Sequence, residues 1–236
     1  MYSYYHVDVS LNHFHLYNFS GILFSHPADF TPVCTSELGR ASQLKGEFEK
    51  RRTKVIAISV DTVENHKQWI NDINDITHSV VDFPIIADTD RRVSVLYGML
   101  DQTHLTTQGE PYTVRSLFII DPSKIVRLII TYPAPTGRNF NEIIRVLDSL
   151  QLAFNYKVAT PADWIKGQDT VVLPTVSNED ASKLFPKGML CRIAGNELHV
   201  LICNTNMFDQ LYDILFCIGF KEVRPWLRTT PDPSPS

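Results

Sequence analysis

Two apolar runs in the middle of the chain constrain the fold most strongly. Residues 114–120 and 125–131 are rich in large apolar and β-branched side chains, and only Asp121-Pro122-Ser123-Lys124 separates them. A four-residue segment of this composition favours a tight turn. The two runs therefore predict an antiparallel hairpin, and such a hairpin needs further strands to complete a sheet.

Strand-like and helical patterns alternate through the first 154 residues. Short apolar runs typical of strands lie at 21–25, 54–60 and 83–87. Apolar residues recur at helical spacing in 38–48, 63–73, 91–97 and 141–154. Alternation of this kind predicts a partly parallel sheet covered by helices on both faces. With the hairpin and a last helix, the order is that of an α/β protein with a thioredoxin-like fold, a mixed sheet flanked by helices.

Composition excludes several classes of function. A chain of 236 residues with 44% apolar content can bury a full core, and its net charge of −4 offers no basic face to nucleic acid. No window approaches the roughly 18 apolar residues of a membrane span. The N-terminus shows no secretory pattern, and the four cysteines lack C-x-x-C spacing. We expect a cytoplasmic protein in a reducing compartment, with neither a nucleic-acid partner nor a membrane span.

One cysteine lies at a junction between a strand and a helix. The apolar run 21–25 stops at His26-Pro27, and the helical pattern begins a few residues after Cys34. Unpaired backbone N–H groups and the helix dipole favour a thiolate at such a position. The alternative is a buried cysteine that acts as a small apolar residue. The neighbouring prolines and the hydroxyl of Thr31 favour the reactive thiol.

The segment around this cysteine resembles a known family. His26-Pro27-Ala28-Asp29-Phe30-Thr31-Pro32-Val33-Cys34-Thr35-Ser36-Glu37-Leu38 resembles the active-site segment of the peroxiredoxins, and its His-Pro prefix is closest to the one-cysteine, peroxiredoxin-6-like class. Further matching stretches follow in order up to Leu184-Phe185-Pro186-Lys187-Gly188 and include Ser59-Val60-Asp61, Asp82 to Asp88, Tyr132-Pro133-Ala134, Thr136 to Phe140, Asp163-Trp164 and Val172 to Thr175. The resemblance covers residues 18 to 188.

The resemblance implies an enzyme, a thiol-dependent peroxidase that acts in antioxidant defence. The Cys34 thiolate would attack hydrogen peroxide or an organic hydroperoxide, lipid hydroperoxides included, and would become a sulfenic acid. The active-site arginine of the family falls on Arg115. A guanidinium there stays cationic, so it would favour the thiolate and hold the peroxide.

Four neighbouring residues receive supporting roles from the same resemblance. Pro27 would shield the thiolate from water, and Thr31 would hydrogen-bond the peroxide. The backbone amides of Val33 and Cys34 would stabilise the charge that develops on oxygen. Glu37 would hold Arg115 in place, although an acid in a first helical turn is also ordinary. For His26 two interpretations stay open: a histidine satisfied by local hydrogen bonds, or one that tunes the pocket or contacts substrate.

The remaining cysteines indicate how the cycle would close. Two-cysteine peroxiredoxins carry a resolving cysteine in a Val-Cys-Pro motif, and Cys191, Cys203 and Cys217 do not lie in one. We therefore expect no resolving cysteine, no bound cofactor or metal, and an external reductant such as glutathione or another small thiol or thiol protein. Overoxidation to sulfinic acid is then a standing risk.

The sequence suggests three segments. Residues 1–17 form an atypical N-terminus, 18–154 the peroxidase domain, and 155–236 a C-terminal subdomain with an apparent insertion at 189–220. Prolines and glycines interrupt 155–188, so we expect an extended arm with little core of its own. In the resembling family this arm packs on a partner subunit, which implies a homodimer. The insertion is interpreted as translated noncoding sequence, with an extra helix or a partner surface as alternatives.

Two other functions compete with the peroxidase. One-cysteine relatives are also described as phospholipases or acyltransferase-type lipid enzymes, but Ser20-Gly21 lacks the G-x-S-x-G spacing of such a serine. The other alternative is an inactive, chaperone-like relative whose altered ends disturb folding.

Overall fold

The fold is described from a computed structural model, which covers residues 19–185, 190–193, 223–230 and 233. The atypical N-terminus predicted at 1–17 and nearly all of the apparent insertion at 189–220 lie outside these residues. The chain divides into two compact units, 1–144 and 145–236. Each unit is described by itself.

Seventeen helices and strands occur among the described residues. The strands are β1 Ser20–Ser25, β2 Thr53–Ser59, β3 Ile85–Ala87, β4 Leu100–Leu105, β5 Pro111–Thr113, β6 Arg115–Ile120, β7 Val126–Tyr132, β8 Val158–Ala159, β9 Thr170–Val172, β10 Leu190–Ile193 and β11 Val223–Thr230. The helices are α1 Pro32–Gln43, α2 Lys45–Lys50, α3 Val63–Thr77, α4 Arg92–Leu96, α5 Phe140–Tyr156 and α6 Asn178–Leu184.

The first unit is built on a five-stranded mixed sheet in the order β3-β2-β1-β6-β7. β1 pairs in parallel with β2, and β2 in parallel with β3. β6 runs antiparallel to both β1 and β7. The hairpin predicted from the two apolar runs is therefore present as β6 and β7, and β1 lies at the centre of the sheet with all six residues buried.

Side-chain alternation along the central strands separates two apolar faces. Leu23 pairs with Ile56 on one side and Phe118 on the other, and all three belong to a core cluster on one face. Ile22 and Phe24 point to the opposite face. Phe24 pairs with Leu117 there, and Arg115 shares that face because it lies two residues before Leu117 in β6. The alternation thus places Arg115 on the face of Phe24.

The helix that contains Cys34, α1, is held in place by α3. α1 packs against α3, and the indole N–H of Trp69 in α3 donates to the Thr35 hydroxyl of α1 at 3.1 Å. The Thr62 hydroxyl caps α3 by accepting from the Asn65 amide. Trp69 and Ile73 are fully buried, so α3 is fixed along its apolar stripe.

The sequence did not predict the two-stranded sheet of β4 and β5. Four of the six residues of β4 are exposed, so the strand lacks an alternating apolar pattern. None of the described helices has both the length and the apolar content needed to cross a membrane.

The second unit contains a four-stranded sheet in the order β10-β11-β9-β8. The expectation of an arm with little core of its own is wrong, because Val158, Trp164, Val172 and Phe185 are buried together in an apolar cluster. Pro161, Gly167 and Pro174 lie between the short elements of this unit. β10 falls within the apparent insertion and pairs with β11.

Candidate active site

The loop between β1 and α1 places Cys34 at the start of a helix. α1 begins at Pro32, and Thr31 precedes it with extended backbone angles. Thr31 does not cap the helix with its side chain, because its hydroxyl donates to the Ala28 carbonyl at 2.9 Å. Cys34 lies in the first helical turn and is fully buried. Backbone N–H groups and the positive end of the dipole therefore act on its sulfur.

Arg115 reaches this sulfur from the first position of β6. Its Nη1 lies 3.3 Å from Cys34 Sγ, and its Nε donates to the Ala134 carbonyl at 2.8 Å. The arginine is 3% exposed. The guanidinium therefore places a positive charge next to the sulfur of Cys34, where water is excluded.

Glu37, one turn after Cys34, joins two arginines. Its Oε2 accepts from Arg115 Nη1 at 2.8 Å and from Arg138 Nη2 at 2.7 Å. Its Oε1 accepts from the backbone N–H and Nε of Arg138 at 2.8 and 2.9 Å. Burial acts to raise the pKa of Glu37, but Arg138 and then Arg115 outweigh burial, so the pKa lies below its usual range. Glu37 is therefore a carboxylate that fixes Arg115.

Arg138 also belongs to the site, although no role was predicted for it from the sequence. It occurs in the quoted Thr136-Gly137-Arg138 stretch, but nothing local indicates its partners. In the structure its Nη1 donates to the Ser116 carbonyl at 3.0 Å, and its guanidinium carbon lies 4.9 Å from the centre of the Phe24 ring. Arg138 therefore binds both carboxylate oxygens of Glu37, whereas Arg115 binds one of them.

The structure brings Cys34, Arg115 and Glu37 into direct contact. Pro27 is buried in the preceding loop, and Thr31 and Val33 are half-buried beside Cys34 in the chain. With its hydrogen on the Ala28 carbonyl, the Thr31 oxygen keeps lone pairs that can accept from a bound O–H group.

His26 belongs to a buried polar network. Its Nε2 lies 2.8 Å from Asp29 Oδ1, and His66 Nδ1 lies 2.6 Å from Asp29 Oδ2. Burial acts to raise the pKa of Asp29, but hydrogen bonds from His26 and His66 lower it, and the net pKa lies below its usual range. Sequence spacing alone could not reveal the partnership of Asp29 and His66, which are 37 positions apart.

A metal could be considered at one place among the described residues. One ligand atom each of His26, Asp29 and Asp61 lie within 4.8 Å of one another. Both Asp29 oxygens bond the two imidazoles, and Asp61 Oδ2 accepts from the Asp29 amide and the Ser59 hydroxyl at 3.0 and 2.8 Å. Internal hydrogen bonds account for this cluster, and we assign no metal to it.

The arrangement suits a nucleophilic thiol that is activated by positive charge. Cys34 is a free, buried cysteine. Cys191 lies in β10, whereas Cys203 and Cys217 fall outside the described residues. The helix start and Arg115 supply positive charge to the sulfur and to any oxygen bound next to it.

Comparisons with known proteins show the family to which the chain belongs. The model of the AhpC/TSA family matches residues 6–129, and that of the C-terminal domain of 1-Cys peroxiredoxin matches 149–188. The 1-Cys peroxiredoxin of Dictyostelium discoideum is 56% identical over 168 residues, 71% of this chain and 68% of the relative.

Two solved structures are similar along nearly the whole chain. A cysteine-to-serine mutant of peroxiredoxin 6 from Arenicola marina is 43% identical, with a TM-score of 0.78 over 95% of this chain and 90% of that one. A yeast mitochondrial 1-Cys peroxiredoxin is 41% identical, with a TM-score of 0.71 over 92% and 88%. The chain therefore belongs to the AhpC/TSA family, and within it to the one-cysteine peroxiredoxins, which are thiol-dependent peroxidases.

Proposed function

We propose that Cys34 is the peroxidatic residue and that it reduces hydrogen peroxide and organic hydroperoxides, lipid hydroperoxides included. Its thiolate attacks one peroxide oxygen, the O–O bond breaks, and the other oxygen leaves as water or an alcohol after taking a proton. Cys34 becomes a sulfenic acid. The observation that carries the proposal is the buried 3.3 Å contact between Arg115 Nη1 and Cys34 Sγ.

Some neighbouring groups stabilise the reactants, and others stabilise the charge that develops in the transition state. Arg115 favours the thiolate and attracts the charge that develops on the departing oxygen. The Thr31 oxygen accepts from the peroxide O–H, and the amides of Val33 and Cys34 stabilise negative charge at the helix start. Pro27 excludes water, and Glu37 keeps the guanidinium of Arg115 in place through the 2.8 Å ion pair.

An external thiol such as glutathione, or a thiol protein, completes the cycle in this proposal. The yeast mitochondrial 1-Cys peroxiredoxin is described as resolving its thiol via glutathione/thioredoxin systems. Peroxide consumption by this protein, measured with glutathione or with thioredoxin as the sole reductant, would identify the class of reductant. No peroxide consumption with either one would contradict this part of the proposal.

The peroxidase role is tested by comparing wild type with Cys34→Ser and with Cys191→Ser. We expect the reduced wild-type protein and Cys191→Ser to consume hydrogen peroxide and to form a sulfenic acid on Cys34, detected by mass spectrometry after dimedone trapping. Cys34→Ser should be inactive. Equal turnover by Cys34→Ser, or a wild-type Cys34 that does not react, would overturn the assignment, and the latter result would favour the inactive relative.

The proposal includes a homodimer. β7 is an edge strand of the five-stranded sheet, and Val126 and Ile129 on it are 40% and 58% exposed. An unpaired edge with apolar side chains is suited to a second strand. Light scattering should give twice the 26.9 kDa of the chain. Ile129→Glu should weaken the dimer, whereas the similarly exposed Val95→Glu on α4 should not; a monomeric wild type would contradict the proposal.

We also propose that the protein resides in the cytoplasm, because a free thiol needs a reducing compartment to persist. Fractionation of cells that express the full-length chain, with antibody detection, tests this directly. Recovery in a membrane or organelle fraction would contradict it.

A further inference from the structure

The strongest unexplained feature beside the active site is the network of His26, Asp29 and His66. All three side chains are buried, and Asp29 lies between the two imidazoles at 2.8 and 2.6 Å. None of its hydrogen bonds goes to Cys34, Arg115 or Glu37, so the contacts described above do not account for it. A buried polar network of this kind is costly unless each member has a partner.

The hydrogen-bond partners decide which nitrogen of His26 carries the proton. Asp29 is ionised near neutral pH, and a carboxylate only accepts, so the proton of His26 lies on Nε2. Nδ1 of His26 has no hydrogen-bond partner among the described residues. A proton on Nδ1 would be a buried, unpaired donor. Nδ1 is therefore a bare acceptor, and a neutral His26 has a single tautomer.

The rest of His26 is already fixed by other elements. Its backbone N–H donates to the Ile58 carbonyl at 3.1 Å, and its carbonyl accepts from the Thr113 hydroxyl at 2.6 Å. The ring lies against Trp69, with centroids 5.1 Å apart. Only the position of the proton on the ring is left open, and Asp29 sets it.

Asp29 also anchors the loop that leads to Cys34. Its backbone N–H donates to Asp61 Oδ2 at 3.0 Å. The next residue, Phe30, has a φ of 55°, which is unfavourable for an aromatic residue and persists only where the surroundings impose it. Pro27 and Thr31, both assigned to the peroxide pocket, lie two residues on either side of Asp29.

We infer that Asp29 is a positioning residue of the peroxidase centre. The carboxylate of Asp29, which is hydrogen-bonded to His66, keeps the proton of His26 on Nε2 and leaves Nδ1 of His26 as a hydrogen-bond acceptor. The backbone of Asp29 holds the turn that carries Pro27 and Thr31. The inference rests on the proposed role of Cys34, which the Cys34→Ser comparison tests separately.

The first measurement needs no variant. Nitrogen NMR of the full-length protein labelled with ¹⁵N-histidine gives the tautomer of each ring, and a His26→Gln spectrum identifies the His26 signals. We expect wild-type His26 to carry its proton on Nε2 alone. A wild-type His26 protonated on Nδ1 overturns the inference, whatever the variants do.

The second measurement separates positioning from general disruption. Asp29→Ala should slow the reaction of Cys34 with hydrogen peroxide about 10- to 100-fold, the scale of effect seen when a group that orients a metal ligand is removed. Its alkylation by iodoacetamide, which needs an accessible thiolate but none of the groups that bind peroxide, should stay unchanged. Asp72→Ala, an exposed aspartate on α3, is the matched control and should match wild type in both reactions.

Asp29→Asn supplies the conservative rescue. Its amide oxygen can still accept from His26 Nε2, and its NH2 group can donate to His66 Nδ1 when His66 carries its proton on Nε2, where the Ile86 carbonyl accepts at 3.3 Å. The variant should therefore keep the wild-type tautomer of His26 and recover most of the rate with peroxide. Three results overturn the inference: a wild-type rate in Asp29→Ala, an equal loss in the peroxide and iodoacetamide reactions, or an Asp29→Asn variant as slow as Asp29→Ala. If Asp29→Ala does not fold, the wild-type spectrum and Asp29→Asn still decide.

Discussion

At the scale of single residues, Glu37 joins the buried charges of the candidate site. One carboxylate accepts four hydrogen bonds, three from Arg138 and one from Arg115. Glu37 is 3% exposed, so water cannot replace these bonds if they are lost. Glu37 therefore sets the orientation of the guanidinium that faces the sulfur.

Glu37→Gln tests this arrangement. It leaves two buried guanidinium groups without their carboxylate, and breaking a buried pair from one side costs about 3–5 kcal/mol. We expect a loss of that size in the free energy of unfolding, measured with urea, and slower peroxide reduction. Glu49→Gln, on the exposed side of α2, should leave both unchanged. Equal stability of the two variants would contradict the role given to Glu37.

Sequence reasoning found the residues that lie in a local motif and missed those that act through distant pairing. Cys34 and Glu37 share one helical turn, and Arg115 was assigned by resemblance. Arg138 meets Glu37 across 101 positions, a contact that depends on where β6 and α5 begin. The hydrogen-bonded position of Asp29 likewise depends on how α3 is placed. No spacing rule contains such information.

At the scale of elements, the packing of α1 on α3 requires a glycine. A Cβ at Gly39 would lie 2.6 Å from Cβ of Thr77, a distance that real side chains do not adopt. The close approach keeps α1, and with it Cys34 and Glu37, next to the helix that carries Trp69. The crossing is therefore part of the framework of the site.

Gly39→Ala should destabilise the protein although alanine is the better helix former. Overpacking typically costs about 1–3 kcal/mol, which exceeds the gain of about 1 kcal/mol in helix propensity. Gly46→Ala is the control because a Cβ there meets nothing within 4 Å. Gly46→Ala should therefore raise the free energy of unfolding measured with urea. A rise of the same size in Gly39→Ala would contradict the close packing of α1 on α3 at Gly39.

The elements themselves were predictable where burial imposes a pattern. The hairpin of β6 and β7, the central strand β1 and helices α3 and α5 follow from apolar runs or helical spacing. β4 and β5 were missed because β4 is largely exposed. The core of the second unit was missed because its strands β8 and β9 have two and three residues, too few to show a period.

At the scale of the whole molecule, two buried carboxylates link stability to pH. Glu37 and Asp29 have pKa values below the ordinary 4.5 and 3.8, because their arginine and histidine partners outweigh burial. The unfolded chain therefore binds protons at a higher pH than the folded chain does. Their contribution to stability is complete above about pH 5 and is lost as the pH falls through the folded-state pKa values.

Urea unfolding between pH 7 and pH 3 should show this loss. We expect the part of the unfolding free energy that Glu37 and Asp29 contribute to stay nearly constant down to about pH 5. Below about pH 4.5 this part should decrease. Glu37→Gln should fall less steeply, since one of the two groups no longer titrates. The loss should persist in about 0.5 M salt because buried pairs are screened little. Identical slopes in wild type and variant would refute this assignment.

Because Arg115 contacts Cys34, the charge on the sulfur group should affect the stability of the protein, and that charge changes with the oxidation state. In the proposed mechanism the reduced protein carries a thiolate on Cys34, and this thiolate and the Glu37 carboxylate together balance the charges of two buried guanidinium groups. Conversion of the thiolate to a neutral sulfenic acid removes one negative charge and leaves one buried guanidinium group without a counter-charge. Further oxidation to a sulfinate restores that negative charge. Thermal unfolding should therefore rank the sulfenic form of the protein below both the reduced and the sulfinic forms. In the proposed cycle, the sulfenic form, which the external thiol must reduce, is therefore expected to be the least stable of the three forms of the protein.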